Sequence, residues 1–546
     1  MVRNFLQVLS LITISLGFRL AIGAVIAVNC FVAVPHGDGL QRKDLRAAIK
    51  TLEEKKEAEK PRKKSVEQLT TSPDDFIETI KLFDQNSGAA SQLGFSVAIS
   101  GDTAIIGAPG DANNKGAALI FQRSGNTWDL QQKIIGSDSA ADDHFGWSVA
   151  ISGETAVVGA YDLNEVDSGA AYVFVRGGLT WSQQQKLTPS DGSVTDQFGS
   201  SVSISGDTIA VGAFGNGSFR GAAYIFTRNG VSWIQEQKLT ATDAAVGDDF
   251  GWSVALSGSS AVVGAPGDDS SRGGLYVFVR NGTSWAQIDK ITASDGTEFD
   301  RFGYSVSIDG DYLISGAPLG GSNAGTTGSA YIFSRSGSNW LQQQKLVPAD
   351  GEENDKFGGS VGLNGSIAVI GSNGDDIATA VDQGSAYIFT RVGSTWSQKQ
   401  KLTGSESSVG DNFGGSVAVR QGAVIAGAYL DDVDSTMERG TAYIFTDPEQ
   451  PTPTPSSTPT PGPMAIVSGR VFTSGGLGLR NAIVTATDQA IGSSKTVSTS
   501  SLGYFFIEVE SGRNYIISVN SKRYRYSSIP ISVNGDISDL DFIGLE

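Results

Sequence analysis

The sequence predicts an all-β protein: a seven-bladed β-propeller closed by an N-terminal strand, with a small β-sandwich behind it. Three observations predict it. A Phe-Gly pair (Leu-Gly in the first copy) recurs seven times, a second glycine follows each at constant distance, and every unit holds strand-like runs bounded by turn residues. Glycine supplies 69 of the 546 residues, which suits a chain of many tight turns between strands.

The glycines of the first motif are Gly94, Gly146, Gly199, Gly251, Gly303, Gly358 and Gly414, separated by 52, 53, 52, 52, 55 and 56 residues. Those of the second motif, Gly-Ala-Pro or a variant, are Gly107, Gly159, Gly212, Gly264, Gly316, Gly371 and Gly427, each 13 residues after its partner. The third copy shows the unit clearly. Its runs are Ser200–Ser205, Thr208–Ala213, Ala222–Arg228 and Trp233–Leu239, with hairpin chemistry at Ser205-Gly206-Asp207 and Asn229-Gly230. The third run is apolar on both faces, so its sheet is covered on both sides, as sheets stacked radially are. Four-stranded units of this length, repeated seven times, make a propeller.

The last copy stops at Asp447 after its third run, and the missing fourth run stands before the first copy, at Phe76–Phe83. A strand borrowed from the N-terminal side closes the ring and removes two open edges.

The flanking segments divide the rest. Residues 1–41 hold a basic start and an apolar run from Phe5 to Val34, which reads as a signal peptide or an uncleaved membrane anchor. Arg42, Lys43, Arg46 and Lys50 outweigh Arg3, a bias against a simple anchor with its C-terminal side outside. Residues 42–73 form a charged stem, 74–447 the propeller, 448–463 a Pro/Thr-rich spacer of up to about 50 Å at ~3.1 Å per residue, and 464–546 a second β domain.

Composition excludes several functions. The net charge of −18 disfavours binding to a phosphate backbone. One cysteine, Cys30, allows no disulfide framework, and two histidines, His36 and His144, leave little for a metal cluster or a His-based triad. The expected location is secreted or cell-surface, with a membrane reached only through the N-terminal segment.

The spaced motifs resemble the FG-GAP repeats of integrin α-subunit propellers over about Asp74 to Asp447. That resemblance implies a seven-bladed propeller and an extracellular ligand, either protein or glycan. Calcium-binding members of that family carry an Asp-x-Asp-x-Asp-Gly loop between the two motifs. Here the place holds tight turns such as Ser100-Gly101-Asp102 and Asp309-Gly310-Asp311, which offer fewer oxygens than the six to eight calcium takes. No cofactor is therefore expected, and calcium stays possible only at other acids. In the last domain, Ser468-Gly469-Arg470-Val471, Ala482-Ile483-Val484, Ser501-Leu502-Gly503-Tyr504-Phe505-Phe506 and Tyr515-Ile516-Ile517 resemble the carboxypeptidase regulatory-like domain, a transthyretin-type sandwich.

In an antiparallel blade, the loops after the second motif share a face with the loops before Phe-Gly. That face is acidic. Asp143, Asp196, Asp248, Asp300, Asp355 and Asp411 stand two residues before Phe, and Asp138, Asp191, Asp243, Asp295, Asp350 and Glu406 five residues earlier. Such acids either cap turns through backbone N–H groups or form a ring of oxygens for cationic ligands. The candidate ligand residues are Asp162 and Asp167, Asp375 and Asp376, and Asp431, Asp432 and Asp434 in the variable loops. Trp147 and Trp252 join them, because they directly follow Phe-Gly and approach the central channel. The series Trp128, Trp181, Trp233, Trp285, Trp340 and Trp396 reads as blade-to-blade packing or as a sugar-binding ring. An adhesion or ligand-binding protein is the function expected, not an enzyme. The alternatives are a non-catalytic envelope scaffold and a carboxylate-based glycoside hydrolase or lyase.

Overall fold

The computed structural model describes residues 75–161, 167–319, 327–337, 339–434, 436–447, 464–488 and 494–545. The expected signal or anchor, the stem and the Pro/Thr-rich spacer lie outside the described residues.

Seven four-stranded antiparallel sheets follow one another between Ile77 and Thr446. In the third, the strands Phe198–Ser205, Thr208–Ala213, Ala222–Asn229 and Ser232–Leu239 pair in chain order. The seventh is built from Ser416–Arg420, Ala423–Ala428 and Thr441–Thr446, and its fourth strand is Ile77–Leu82. That strand runs antiparallel to Thr441–Thr446, with Ile77 opposite Thr446 and Leu82 opposite Ala442. The expected closure by a borrowed strand is present.

The blades stack because both faces of their middle strands are apolar. Thr208–Ala213 is buried throughout, and so are Ala222 to Phe226 of the next strand. Each interface between neighbours has its own core. Val157, Ala171 and Val173 of blade 2 pack with Val211, Tyr224, Phe226 and Trp233 of blade 3. The ring-closing interface joins Ile425, Ala442 and Ile444 of blade 7 to Ile106, Leu119, Phe121 and Trp128 of blade 1.

The two glycine motifs are the clasp between blades. The first-motif glycines have φ between +81° and +97°, a region closed to most side chains. Their carbonyls accept a hydroxyl bond from the preceding blade, as Ser96 donates to Gly146 at 2.8 Å and Ser416 to Gly94 at 2.7 Å. The second-motif glycine lies under that bond: a Cβ on Gly107 would stand 1.9 Å from the Gly146 oxygen and 2.3 Å from Ser96 Oγ. Within a blade, the amide of Gly94 donates to Gly107 O at 3.0 Å, and Gly251 to Gly264 O at 3.0 Å. The spacing of 13 therefore measures two paired strands and their turn. The Phe side chain anchors the motif by meeting a third-strand tyrosine edge-on, as Phe145 meets Tyr172 at 5.4 Å and Phe250 meets Tyr276 at 5.3 Å. Blade 1 changes both partners together, with Leu93 and Leu119 in one core.

At the outer strands a glutamine amide reads the neighbour's backbone. Gln185 donates to Trp233 O at 2.8 Å and accepts from Trp233 N at 2.7 Å. Gln400 treats Phe76 of the closing strand in the same way, at 2.9 and 2.7 Å. The tryptophans of this series are buried, 2–6% exposed, between blades. They fill the packing role and present no open face to a sugar.

Residues 464–545 form two sheets around one core. Tyr504–Glu510, Met464–Phe472 and Phe542–Ile543 make the first. Ser494–Ser498, Ile483–Asp488, Arg513–Asn520 and Ile529–Val533 make the second. Val467, Val484, Phe505, Ile507 and Ile517 meet between them, which is a β-sandwich.

Deleting residues 75–83 should uncover the edge of Thr441–Thr446 and empty the sites of Phe76 and Leu82, both buried. Losing two such side chains costs several kcal/mol, about 2–5 each, and should lower the melting temperature by about 10 °C or drive association through the bare edge. Calorimetry and gel filtration check this, and an unchanged midpoint with monomeric elution overturns it.

Candidate ligand-binding site

The loop before each Phe-Gly is held by its own carboxylate. Asp196 accepts from Ser193 N at 2.9 Å, Asp248 from Ala245 N at 2.6 Å and Asp355 from Glu352 N at 2.6 Å. The turn-capping role accounts for this acid in every copy that carries it. The earlier acid binds across blades. Asp138 receives Lys186 Nζ at 2.7 Å and Tyr172 OH at 2.8 Å, and Asp191 receives Lys238 at 2.6 Å and Tyr224 at 2.9 Å. The lysine hydrogen bond holds both carboxyls below their ordinary range.

Among the described residues, four second-turn loops add a buried carboxylate, at Asp111, Asp268, Asp375 and Asp431. Asp375 is 0% exposed and bonded by Lys401, by Ser385 and by Tyr387 OH at 2.9 Å. Asp431 is 2% exposed, with Lys81 at 3.0 Å, Thr441 at 2.7 Å and Tyr443 at 3.1 Å. These two candidates lie beneath the surface as loop anchors, a correction to their placement on the ligand face. A carboxylate so buried has lost its water and needs such partners in its place.

The neighbouring acids face outward but serve their own loops. Asp376 accepts from Asp382 N and Asp432 from Glu438 N, both at 2.8 Å. Asp434 is exposed, 3.7 Å from Arg439. Asp167 accepts from Gly169 N at 2.6 Å. Asp162 lies outside the described residues. Among the described residues, no group of three or more His, Cys, Asp or Glu side chains is arranged to hold a metal ion.

Trp147 and Trp252 do come together, in one cup on the propeller axis. The residue after each Phe-Gly points to the axis: Phe95, Trp147, Ser200, Trp252, Tyr304, Gly359 and Gly415. The third residue of the second motif, where the other copies have Pro, joins from four blades, as Tyr161, Phe214, Asn373 and Tyr429. Together they line a cavity of about 300 Å³. Its aromatics form an unbroken arc. Successive ring centroids are 5.4 Å apart for Tyr429–Phe95, 4.5 Å for Phe95–Trp147, 4.7 Å for Trp147–Tyr161, 6.2 Å for Tyr161–Phe214, 4.8 Å for Phe214–Trp252 and 5.3 Å for Trp252–Tyr304. The arc ends where blade 6 contributes Gly359 and Asn373. Burial raises the pKa of the Tyr304 and Tyr429 hydroxyls, keeping both neutral donors.

Five of these aromatics escape a reading by residue type, since single aromatics in strand-rich repeats read as core. Position is the signal that finds them. The argument that brings Trp147 to the axis applies equally to Phe95 and Tyr304, and one motif further on to Tyr161, Phe214 and Tyr429.

Around the cup, Asp249 precedes Phe250 at φ +57° beside Arg301. Burial pushes its pKa up to about 6, and burial does the same to Asp411. A carboxyl raised in the fold stabilises below its unfolded pKa and loses that contribution as pH rises through 6. The lysine-bound Asp138 and Asp191 act oppositely, losing stability as pH falls through their lowered values. The melting temperature should therefore rise as pH drops from 7 to about 5, then fall below about 4. Asp411→Asn should flatten the upper slope. A scan flat from pH 5 to 7 in the parent protein overturns this.

A comparison with protein-family models matches the FG-GAP repeat to residues 76–121, 128–174, 181–226, 233–278, 285–333, 340–389 and 396–445. No curated protein matches the chain. Each match opens on the outer strand of one blade and ends on the third strand of the next, in step with the clasps described above. Seven matches that together cover more than half of its length make this chain a member of the FG-GAP repeat family.

Proposed function

We propose that this protein is a recognition protein, secreted or held at the cell surface, whose propeller binds an extracellular protein or glycan. The observation that carries the reading is the cup on the axis. It is a concave site built from one or two residues per blade, at positions that vary while the clasp residues beside them repeat. Large aromatic rings with neutral hydroxyl and amide groups between them bring contact area at small entropic cost, as recognition sites require. In this reading the cup takes part of the ligand and the acidic loops around it meet the remainder. Asp432 and Asp434, both exposed, belong to one of those loops. No catalytic role is proposed for the chain, and calcium enters only if loop acids share it with the ligand. The C-terminal sandwich, as a carboxypeptidase regulatory-like module, acts as a spacer or adhesion module beyond the Pro/Thr-rich segment.

Binding of the purified chain to an array of glycans and matrix proteins, with calcium and with chelator, tests the reading. A specific hit is expected. Trp252→Ala should weaken it by about tenfold or more, the loss of one well-packed aromatic, with an unchanged melting temperature. Charge reversal at Asp432 and Asp434 should weaken it further if the ligand reaches that loop, and unchanged affinity removes this loop from the site. A blank array in both conditions overturns the reading.

A further inference from the structure

The chemistry of the cup narrows its ligand. Among the eleven lining residues there is no Asp, Glu, Lys, Arg or His. An anionic group placed there would be desolvated against ring faces without an opposite charge in contact, and a cation drawn to those faces would find no carboxylate among the lining residues. A purely apolar group would leave polar atoms unmatched. Tyr304 and Tyr429 interact electrostatically across the end of the arc. Neither hydroxyl is hydrogen-bonded among the described residues, and burial has already stripped both of part of their water. Asn373 of blade 6 adds an amide between the two tyrosines, and Ser200 of blade 3 a hydroxyl on the opposite side of the cup. The group that satisfies all of this is neutral, carries a C–H face for stacking and bears hydroxyls at its edge. A pyranose ring has that combination.

Size and shape carry the inference one step further. A cavity of about 300 Å³ stands at the lower end of ligand sites and holds one ring rather than a chain. The wall is aromatic from Tyr429 round to Tyr304 and drops at blade 6, where Gly359 carries no side chain; at blade 7 the Tyr429 ring lies over Gly415, 3.0 Å from where its Cβ would stand. We propose that the cup holds one neutral saccharide unit of a glycan, stacked on the aromatic arc, and that the rest of the glycan leaves through the breach at Gly359. This rests on the recognition reading above and selects glycan over protein.

The breach gives a test that separates the two claims. A Cβ on Gly359 would stand 3.3 Å from Lys356 O and 3.4 Å from Asn373 Oδ1, so a side chain is admitted with small adjustment. Gly359→Trp would give blade 6 the residue that blades 2 and 4 already carry there, and would close the wall. The full chain is titrated with neutral glucan, mannan, galactan and xylan oligosaccharides, with the corresponding monosaccharides, and with a basic and an acidic peptide. Tryptophan fluorescence and saturation-transfer NMR report binding. We expect at least one oligosaccharide to bind with an emission change that Trp147→Ala and Trp252→Ala reduce tenfold or more. We expect Gly359→Trp to weaken that oligosaccharide about tenfold while the matching monosaccharide keeps its weaker affinity. Near-ultraviolet dichroism and the melting temperature confirm that each variant is folded. A peptide that binds in place of the sugars, or saccharide binding indifferent to Trp147 and Trp252, overturns this inference and leaves the recognition reading standing. Equal loss of monosaccharide and oligosaccharide in Gly359→Trp overturns the exit. No binding to any of these sugars overturns the inference, and a blank protein and glycan array as well overturns the reading beneath it.

Discussion

The carbonyl of each first-motif glycine is where one blade holds the next, and the rest of the propeller depends on that contact. Three requirements meet there. The glycine needs a positive φ, its carbonyl needs the serine hydroxyl of the preceding blade, and the second-motif glycine must have no Cβ for the two backbones to approach. A methyl group at Gly107 would fall inside the Gly146 carbonyl, so no rotamer change relieves it. The clasp is local in space but couples residues about fifty apart, and it recurs at the closing interface, where Ser416 meets Gly94. Seven equal contacts of this kind set the angle between blades, and equal angles are what a closed ring needs.

The family repeat and the blade are out of step, and this follows from the same physics. A repeat that begins on an outer strand and ends on a third strand belongs to two blades at once. Every blade is therefore completed by its neighbour's sequence, and the strand Ile77–Leu82 is the ordinary start of a repeat rather than a special device. Lysines on the outer strands strengthen the coupling. Lys401 bridges Asp350 of the preceding blade's loop and Asp375 of its own, and Lys290 does the same with Asp243 and Asp268. Half-buried pairs of this kind are sensitive to losing one partner, because the other charge is left without compensation.

Spacing made the propeller legible from sequence, because a clasp that tolerates no slack leaves a fixed interval in the chain. The strand order and the closure followed from hairpin chemistry and one missing run. The C-terminal sandwich was legible at four strands, whereas Ser494–Ser498 is mostly polar and exposed, Ile529–Val533 carries a proline, and Phe542–Ile543 is two residues long. The acids were harder. Asp375 and Asp376 are adjacent and identical in type, yet one is buried against a lysine and the other faces outward. Which of two neighbours turns inward depends on Lys401, 26 residues after Asp375 in the chain, and no local pattern carries that information. The aromatics of the cup were half legible. Tryptophan is rare enough to be noticed, whereas Phe95 or Tyr304 is distinguished only by its register in the repeat.

Symmetry and function divide the same few residues between them. Along Phe-Gly-x, the phenylalanine packs on a tyrosine in six blades, Leu93 packs with Leu119 in blade 1, and the glycine makes the clasp, so both positions are spoken for in every blade. The third residue has no part in either contact and projects to the axis, where all seven copies meet. A ring of seven equivalent positions would be filled seven times over by one large side chain. The chain resolves this with Phe, Trp, Ser, Trp, Tyr, Gly and Gly in order. Large residues crowd blades 1, 2, 4 and 5, and the space left by Ser200 is taken by Phe214 from the second motif. At blade 7 the Tyr429 ring covers Gly415 in the same way, and at blade 6, where Gly359 meets only the smaller Asn373, the wall opens. A sevenfold frame thus yields a one-sided site, because the frame constrains every position in the motif except the one that faces the axis.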